Sequence, residues 1–440
     1  MSEIEVHIDI HGGTRRVGTM RIIGKDGRMA TTFQYCAEWL DFGGRFSLEP
    51  GIQVGAGIHT PGAGREMFSS LGDSAPDTWG RRLMQRMERR NAEREGRHVR
   101  TLMEIDYLLG VADVARMGAL RFRRIGQEAF QTPLERGRAV PMFVELPRLL
   151  SVTEKVLRDE DTDEDLLLLF APGSSLGGAR PKASVLDRDG HLSIAKFPRD
   201  DDDYDIGAWE HVALTLAERA GIRVAEHRIE KVAGKTVMLS RRFDRDGGKR
   251  IVFLSAMAMM GLKDGDRGSY PELADLLRSH GSQPRTDAIE LFRRMAFNIL
   301  ARNLDDHLRN HGFLWSGNNG WTLGPAYDLN PVPADLKSPM LSTNINLDEG
   351  TCSVSLALDS AEYFGLDVRK ARAIFAEVAA AVSGWREVAQ DGGIKPAEIN
   401  RMKSAFEHRE LREAMVERPV PGFDVKSVSV ATPRGLGKTR

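Results

Sequence analysis

The chain has 440 residues, 41% hydrophobic and 28% charged, with a formal net charge of -1. That length exceeds one ordinary core and predicts two or three domains, while the near-zero charge excludes the chain-wide basic field of nonspecific nucleic-acid binders. The start, MSEIEVHIDIHGG, has acids where a signal peptide has a basic segment, and no apolar run approaches about 18 residues, so a cytoplasmic protein without membrane contact is expected.

In chain order, EVHIDIHGG, RVGTMRIIGKDG and RMATTFQY cluster β-formers between glycines and predict short antiparallel strands. Residues 76–100 then switch to a helical pattern, opened by Pro76 and Asp77 and closed near Gly96, with a second short helix predicted from Leu102 to Leu109. Between Arg81 and Arg100 stand eight arginines against three glutamates, read either as a solvated helix face or as a surface for nucleic acid or an acidic partner. Residues 125–165 are polar and helical, punctuated by Pro133, Pro141 and Pro147, and mark a boundary; LLLLFA at 166–171 reads as a buried segment. SLGGARPKASVLDRDGHLSIAKFP predicts a hairpin turning at Asp189 and Gly190, which sets Lys196 on its second strand. Trp209, Val212, Leu216 and Ala220 recur at helical spacing before a stop at Gly221. From 251 to 415 the pattern is overwhelmingly helical, interrupted by a loop region from His307 to about Ser355, and residues 418–440 read as an unfolded tail.

The densest chemistry lies in NLDDHLRNHGFL. Asp305 and Asn310 have the five-residue interval that, in phosphoryl-transferring sites, separates the acid receiving the substrate's hydroxyl proton from an asparagine that ligates magnesium. Asp306 competes as base but stands only four residues from Asn310. Asp328, in PAYDLNP, supplies a second metal-binding acid after a strand-like run, FLW and WTL around a GNNG turn. Lys196 suits nucleotide phosphates, and Glu210 on the following helix suits an ion-pair partner for it. GSSLGGARPK offers Gly173, Gly177 and Gly178 for close backbone approach to phosphates, with Arg180 and Lys182 adding charge. Ala179 and Arg180 stand where a Walker A loop needs its lysine and hydroxyl residue, which disfavours a P-loop NTPase. His307 and His311 lack a following glutamate and a third soft ligand, so His307 reads as a brace of the catalytic loop rather than a zinc ligand, and Arg309 as neutralising phosphate or a neighbouring acid. Cys36 and Cys352, the only cysteines, exclude a disulfide framework and a CxxC metal site.

The order Ser175 to Lys182, Lys196 to Pro198, the Glu210 helix, Arg242 to Arg245, Asp305 to Asn310, and Tyr327 with Asp328 resembles the HipA family of toxin kinases. LGDSAPDTWGRRL and RMGALRF resemble that family's N-terminal module. The resemblance implies an α+β, protein-kinase-like bilobal fold with a mixed N-lobe, an all-helical C-lobe and an extra β-rich N-terminal subdomain. The expected units are residues 1–125, 126–248 and 249–417, followed by the tail at 418–440. It implies a serine/threonine protein kinase using ATP and Mg2+, with Asp305 as base, Lys196 on the phosphates, Asn310 and Asp328 on the metal, and Glu210 in the supporting ion pair. Gly173, Ser175, Gly177, Gly178, Lys182, Arg242, Phe243 and His307 fall at the ATP site, with Phe243 near the adenine hinge. Ser175, or its neighbour Ser174, is implied as a site of autophosphorylation that ejects the loop. The implied partners are an aminoacyl-tRNA synthetase as substrate, a HipB-like DNA-binding antitoxin, and operator DNA through the antitoxin complex. Arg241 departs from the family, which often has an acid there. Two other readings are a small-molecule phosphotransferase, which shares the acid and asparagine spacing, and an idle co-repressor component binding DNA through the arginine-rich helix.

Overall fold

The computed structural model describes residues 2–25, 28–131, 140–170, 178–317 and 320–416. Strands β1 (Ser2–Ile10), β2 (Gly13–Lys25), β3 (Arg28–Tyr35) and β4 (Leu120–Arg124) form an antiparallel sheet in the order β3-β2-β1-β4. The two-residue period of β1 explains its placement, since Ile4, Val6 and Ile8 are fully buried and alternate with polar residues. Helix Thr78–Arg94 follows, capped by Asp77, whose carboxylate accepts from the Gly80 N–H at 2.8 Å. Its basic face meets its own chain's acids. Arg81 pairs with Glu104 at 2.6 Å, Arg90 with Asp161 at 2.9 Å, Arg94 with Asp163 at 3.2 Å and Arg97 with Glu88 at 2.6 Å. Arg86 also reaches Asp161, a carboxylate with no exposed side-chain surface. Leu166, Leu168 and Leu169 of the LLLL run are buried.

A second antiparallel sheet, in the order β5-β6-β8-β7, combines β5 (Lys182–Leu186), β6 (Leu192–Lys196), β7 (His227–Val232) and β8 (Lys235–Arg241). Helix Ile206–Arg219 packs on β7 and β8, with Val212, Ala213 and Leu216 buried, and its buried Trp209 lies against Trp385 and Phe406. After the two-residue strands β9 (Arg245–Asp246) and β10 (Lys249–Arg250), a third sheet is built from β11 (Phe253–Ser255), β12 (Gly312–Trp315) and β13 (Trp321–Leu323). The C-terminal part is therefore not all-helical. Phe253 to Ser255 is a short apolar run whose period cannot distinguish strand from helix, and its partner lies about 60 residues downstream. Gly312 lets the two strands approach: a Cβ there would sit 2.5 Å from the Phe253 ring. The other C-terminal elements are helical, with buried Pro284–Leu300 flanked by Tyr270–His280 and Val368–Ser383.

Two stretches that stand far apart in sequence lock the N-terminal unit to the rest. Asp244, fully buried, accepts from Arg242 at 2.6 Å on each oxygen, from Arg245 at 2.6 Å and from the Gly118 N–H at 2.7 Å. Arg242 donates onward to the carbonyls of Ala115 at 3.0 Å and Arg116 at 3.1 Å. RMGAL and RFDR are thus two halves of one junction.

Candidate active site

Lys196 ends β6, and its ammonium lies 2.6 Å from Glu210 Oε1 and 2.8 Å from Asp328 Oδ1. The strand, the helix and the segment after β13 thereby bring three residues separated by up to 132 positions into one ion cluster. Burial alone would lower the Lys196 pKa, but the two carboxylates outweigh it and raise it. Burial likewise pushes Asp328 up, and the Lys196 charge, aided by Lys182 and His307, holds it well below the usual range. Glu210 remains above its ordinary value because burial outweighs Lys196. Asp328 takes a left-handed backbone, φ 58°, a conformation that aspartate tolerates better than most residues.

Asn310 Nδ2 donates to the Asp305 carbonyl at 3.0 Å and so fixes the loop, while its buried Oδ1 has no hydrogen-bond partner among the described residues. Asp328 Oδ2 accepts no hydrogen bond from the described residues. A carboxylate oxygen and an amide oxygen left open in this way fit a hard cation such as Mg2+, with the remaining positions left to phosphate and water. A void of about 10 Å³ behind Asn310 and His311 is at the lower limit for one water, and so is a poorer explanation of the open amide.

The two adjacent acids have separate surroundings. The Asp305 side chain is 69% exposed, with Lys337 Nζ at 3.8 Å. Asp306 is buried, accepts from the Tyr270 hydroxyl, and lies 3.0 Å from His311 Nε2. Burial raises its pKa, yet His311 and Tyr270 together keep it low. From Tyr270 a hydrogen-bonded chain runs through Asn298 at 2.8 Å, Asn303 at 3.0 Å and Asn330 at 2.8 Å, and Asn330 Nδ2 donates to Asp328 at 2.9 Å. Nothing in the sequence pattern singled out Tyr270, Asn298, Asn303 or Asn330; a polar residue on the apolar face of helix Pro284–Leu300 was the one available signal.

Of the other expected residues, His307 keeps a buried Nδ1 with no hydrogen-bond partner among the described residues, and Phe243 lies 5.4 Å from the Tyr327 ring. Lys182 Nζ pairs with Asp77 at 2.8 Å, and Arg180 with Asp202 at 2.8 Å. Arg309 pairs with Asp264 at 2.7 Å and lies 3.6 Å from buried Asp73. Arg242 corrects the expectation that placed it at ATP: its guanidinium is engaged at the Asp244 junction. Gly178 is described, whereas Gly173, Ser174, Ser175 and Gly177 lie outside the described residues, as do 418–440. A cavity of about 930 Å³ adjoins the site, lined by Asp77, Gly178, His307 and Arg309 among others, and Lys196, Asn310 and Asp328 are not among its walls.

A lysine paired with a helix glutamate, an Asp-x-x-x-x-Asn loop and a facing aspartate are the parts used by proteins of the kinase class. Residues 174–385 match the HipA-like C-terminal domain. The chain is 25% identical over 223 residues to a Haemophilus influenzae protein named "Putative kinase", covering 44% of this chain and 65% of that one. It is 27% identical over 183 residues to the Sinorhizobium fredii protein "Putative kinase Y4mE", covering 35% of this chain and 41% of that one. In both cases the match spans less than two thirds of the relative. The fold is similar to a chain in the Shewanella oneidensis complex of HipA, HipB and operator DNA, with TM-score 0.60, 16% identity, 94% of this chain covered and 96% of that one.

Proposed function

We propose that the chain is a Mg-ATP-dependent serine/threonine protein kinase acting as the toxin of a pair with a HipB-like DNA-binding antitoxin. The observation that carries this reading is the Lys196 ammonium shared by Glu210 and Asp328, together with an Asn310 Oδ1 that has no hydrogen-bond partner among the described residues. Asp305 takes the proton of the acceptor hydroxyl, its exposed carboxylate being free to meet a protein substrate. Asp306 is already engaged by Tyr270 and His311 and serves to anchor the loop. Lys196, held in place by Glu210, offsets phosphate charge; Asn310 and Asp328 hold the metal. Bound magnesium supplies charge neutralisation across the phosphate oxygens.

The substrate class is a protein hydroxyl, with an aminoacyl-tRNA synthetase as the target that stops translation. Ser175 is the self-modified residue, because a dianion in a nucleotide cradle repels the incoming phosphates. The toxin role is supported by the HipA-like domain match over residues 174–385, and the antitoxin partner by the Shewanella assembly to which this chain's fold is similar. The co-repressor reading is disfavoured because the arginine-rich helix directs most of its charge onto internal acids. Intact-mass spectrometry after incubation with Mg-ATP, beside an Asp305→Asn control and with added synthetase, tests the proposal. A phosphate gained by the wild type in the 173–182 loop and by the synthetase, with neither gained in the control, is expected. Transfer retained by a folded Asp305→Asn protein sinks the assignment.

A further inference from the structure

The loop that carries Asp305 is bracketed by the stretch that follows Asp328, residues 332–343. Ser342 Oγ donates to the Leu304 carbonyl at 3.2 Å and Thr343 Oγ1 to the Asp306 carbonyl at 2.5 Å, so the backbone on both sides of Asp305 is tied to that stretch. Arg302 fastens its other end. This buried guanidinium has no ion-pair partner among the described residues, and donates instead to the carbonyls of Val332 at 3.2 Å and Lys337 at 2.8 Å. The Arg302 backbone is left-handed, φ 50°, a conformation that costs an arginine energy and that the surrounding structure has to impose.

Lys337 is thereby delivered to the base. Its ammonium donates to the Leu304 carbonyl at 3.3 Å and lies 3.8 Å from Asp305 Oδ1, the one ion pair that Asp305 makes among the described residues. At that distance the charges attract without forming a hydrogen bond. An ammonium carries three N–H groups, so two of them are uncommitted among the described residues, on a side chain that is 44% exposed beside a carboxylate that is 69% exposed. Ser342, Thr343 and Arg302 already tie the stretch to the loop, and an exposed ammonium adds little to that purpose. An acceptor hydroxyl that gives its proton to Asp305 lies within about 3 Å of the carboxylate, and its oxygen meets the phosphorus at about 3–3.5 Å. The phosphoryl oxygens then come within reach of a flexible stem whose charge stands beside that carboxylate.

We infer that Lys337 is a catalytic residue of the transfer step, its ammonium donating to an oxygen of the phosphoryl group as that group passes from ATP to the hydroxyl held by Asp305. The inference rests on the kinase reading of Asp305 and the Lys196, Asp328 and Asn310 cluster. In the step, a bond forms between the acceptor oxygen and phosphorus, the bond from phosphorus to the departing ADP oxygen breaks, and the acceptor's proton passes to Asp305. Lys337 keeps its protons throughout and offsets charge on the phosphoryl oxygens. Lys196 and Lys337 then serve the nucleotide side and the acceptor side of the same transfer.

The test uses the full chain with Lys337→Met, which keeps an unbranched stem and removes the charge. The readouts are label transferred from γ-labelled ATP to the chain itself and to an added mixture of aminoacyl-tRNA synthetases, the dependence of that rate on ATP concentration, and thermal unfolding. A contact made in the transition state lowers kcat and leaves KM for ATP alone. A folded Lys337→Met protein with kcat lowered about 10²-fold and KM for ATP within twofold of wild type is expected, and Lys337→Arg, which restores the charge, should recover at least a tenth of the wild-type rate. A folded Lys337→Met protein with the wild-type kcat overturns the inference. Equal losses in Lys337→Met and Lys337→Arg, accompanied by a lower melting temperature, make the side chain a structural tie and overturn it as well. Lys337→Gln repeats the test if the first variant is unstable, and failure of both to fold ends the claim. Wild-type protein that transfers no label overturns the kinase reading itself, and this is visible before any variant is compared.

Discussion

Asp244 and Asp328 are two carboxylates held beside cations, and burial works against the charge of each. Their difference lies in what remains open. Asp244 has no exposed surface, and its two oxygens receive four N–H groups from Arg242, Arg245 and Gly118. Asp328 is 20% exposed at its side chain and, among the described residues, accepts from Lys196 and Asn330 through one oxygen only, while the Asn310 Oδ1 has no partner there. A saturated buried charge holds units together, because no further ligand can be added without breaking a bond. An unsaturated one is a cost in the fold that a ligand can relieve. The two sites are therefore told apart by their unfilled valences rather than by charge, burial or pKa direction.

The sharpest way to break the comparison is to change the carboxylates one at a time. Asp328→Asn, like Asp305→Asn, is expected to lower phosphoryl transfer by about 10³-fold or more while the protein remains folded; radiolabel transfer and circular dichroism check both halves. Asp244→Asn should do the reverse. Breaking a buried ion pair costs about 3–5 kcal/mol, so denaturant unfolding should show a large loss of stability, with activity per folded molecule retained.

A smaller effect is expected in the arginine-rich helix, where Arg90→Gln removes one of two guanidiniums on buried Asp161. A cost of about 1–2 kcal/mol and unchanged retention on DNA are expected; lost DNA retention by the isolated chain would restore the binding-surface reading. The smallest is a pH effect at His211 and His227, whose Nδ1 atoms are 2.8 Å apart. Burial lowers both pKa values, that of His227 to about 4, where its neighbour His211 adds to the shift. Groups depressed in the fold add stability that is complete above the unfolded value near 6.5 and is lost as pH falls toward 4. Unfolding measured at pH 7 and pH 5 should show the loss, and His227→Phe should flatten it.

Much of the framework was legible in the sequence. The alternation in EVHIDI, the DG turn at Asp189 and Gly190, the Asp77 cap and the periodic Trp209 to Leu216 face are local signals, and each predicted element is present. The spacing of Asp305 and Asn310 was readable because one loop carries both. What could not be read is pairing over distance. β12 and β13 were legible as the strand-like FLW and WTL, but β11 pairs with β12 across about 60 residues, so it appeared as part of a helical region. Arg242 looked like a nucleotide contact because it sits beside Phe243, yet its partners are carbonyls at 115 and 116. The arginine run looked like a surface because the acids that neutralise it, Asp159 to Asp163, lie about 70 residues away. Charge in a sequence shows the need for a partner; only the fold shows whether the chain supplies it.

The most direct test of the distinction between filled and unfilled carboxylates is Mn2+ binding followed by electron paramagnetic resonance in the presence of ATP. The account predicts that the wild type and Asp244→Asn bind the ion alike, and that Asp328→Asn and Asn310→Ala each weaken it at least tenfold while remaining folded. Equal Mn2+ affinity in wild type and Asp328→Asn would contradict it.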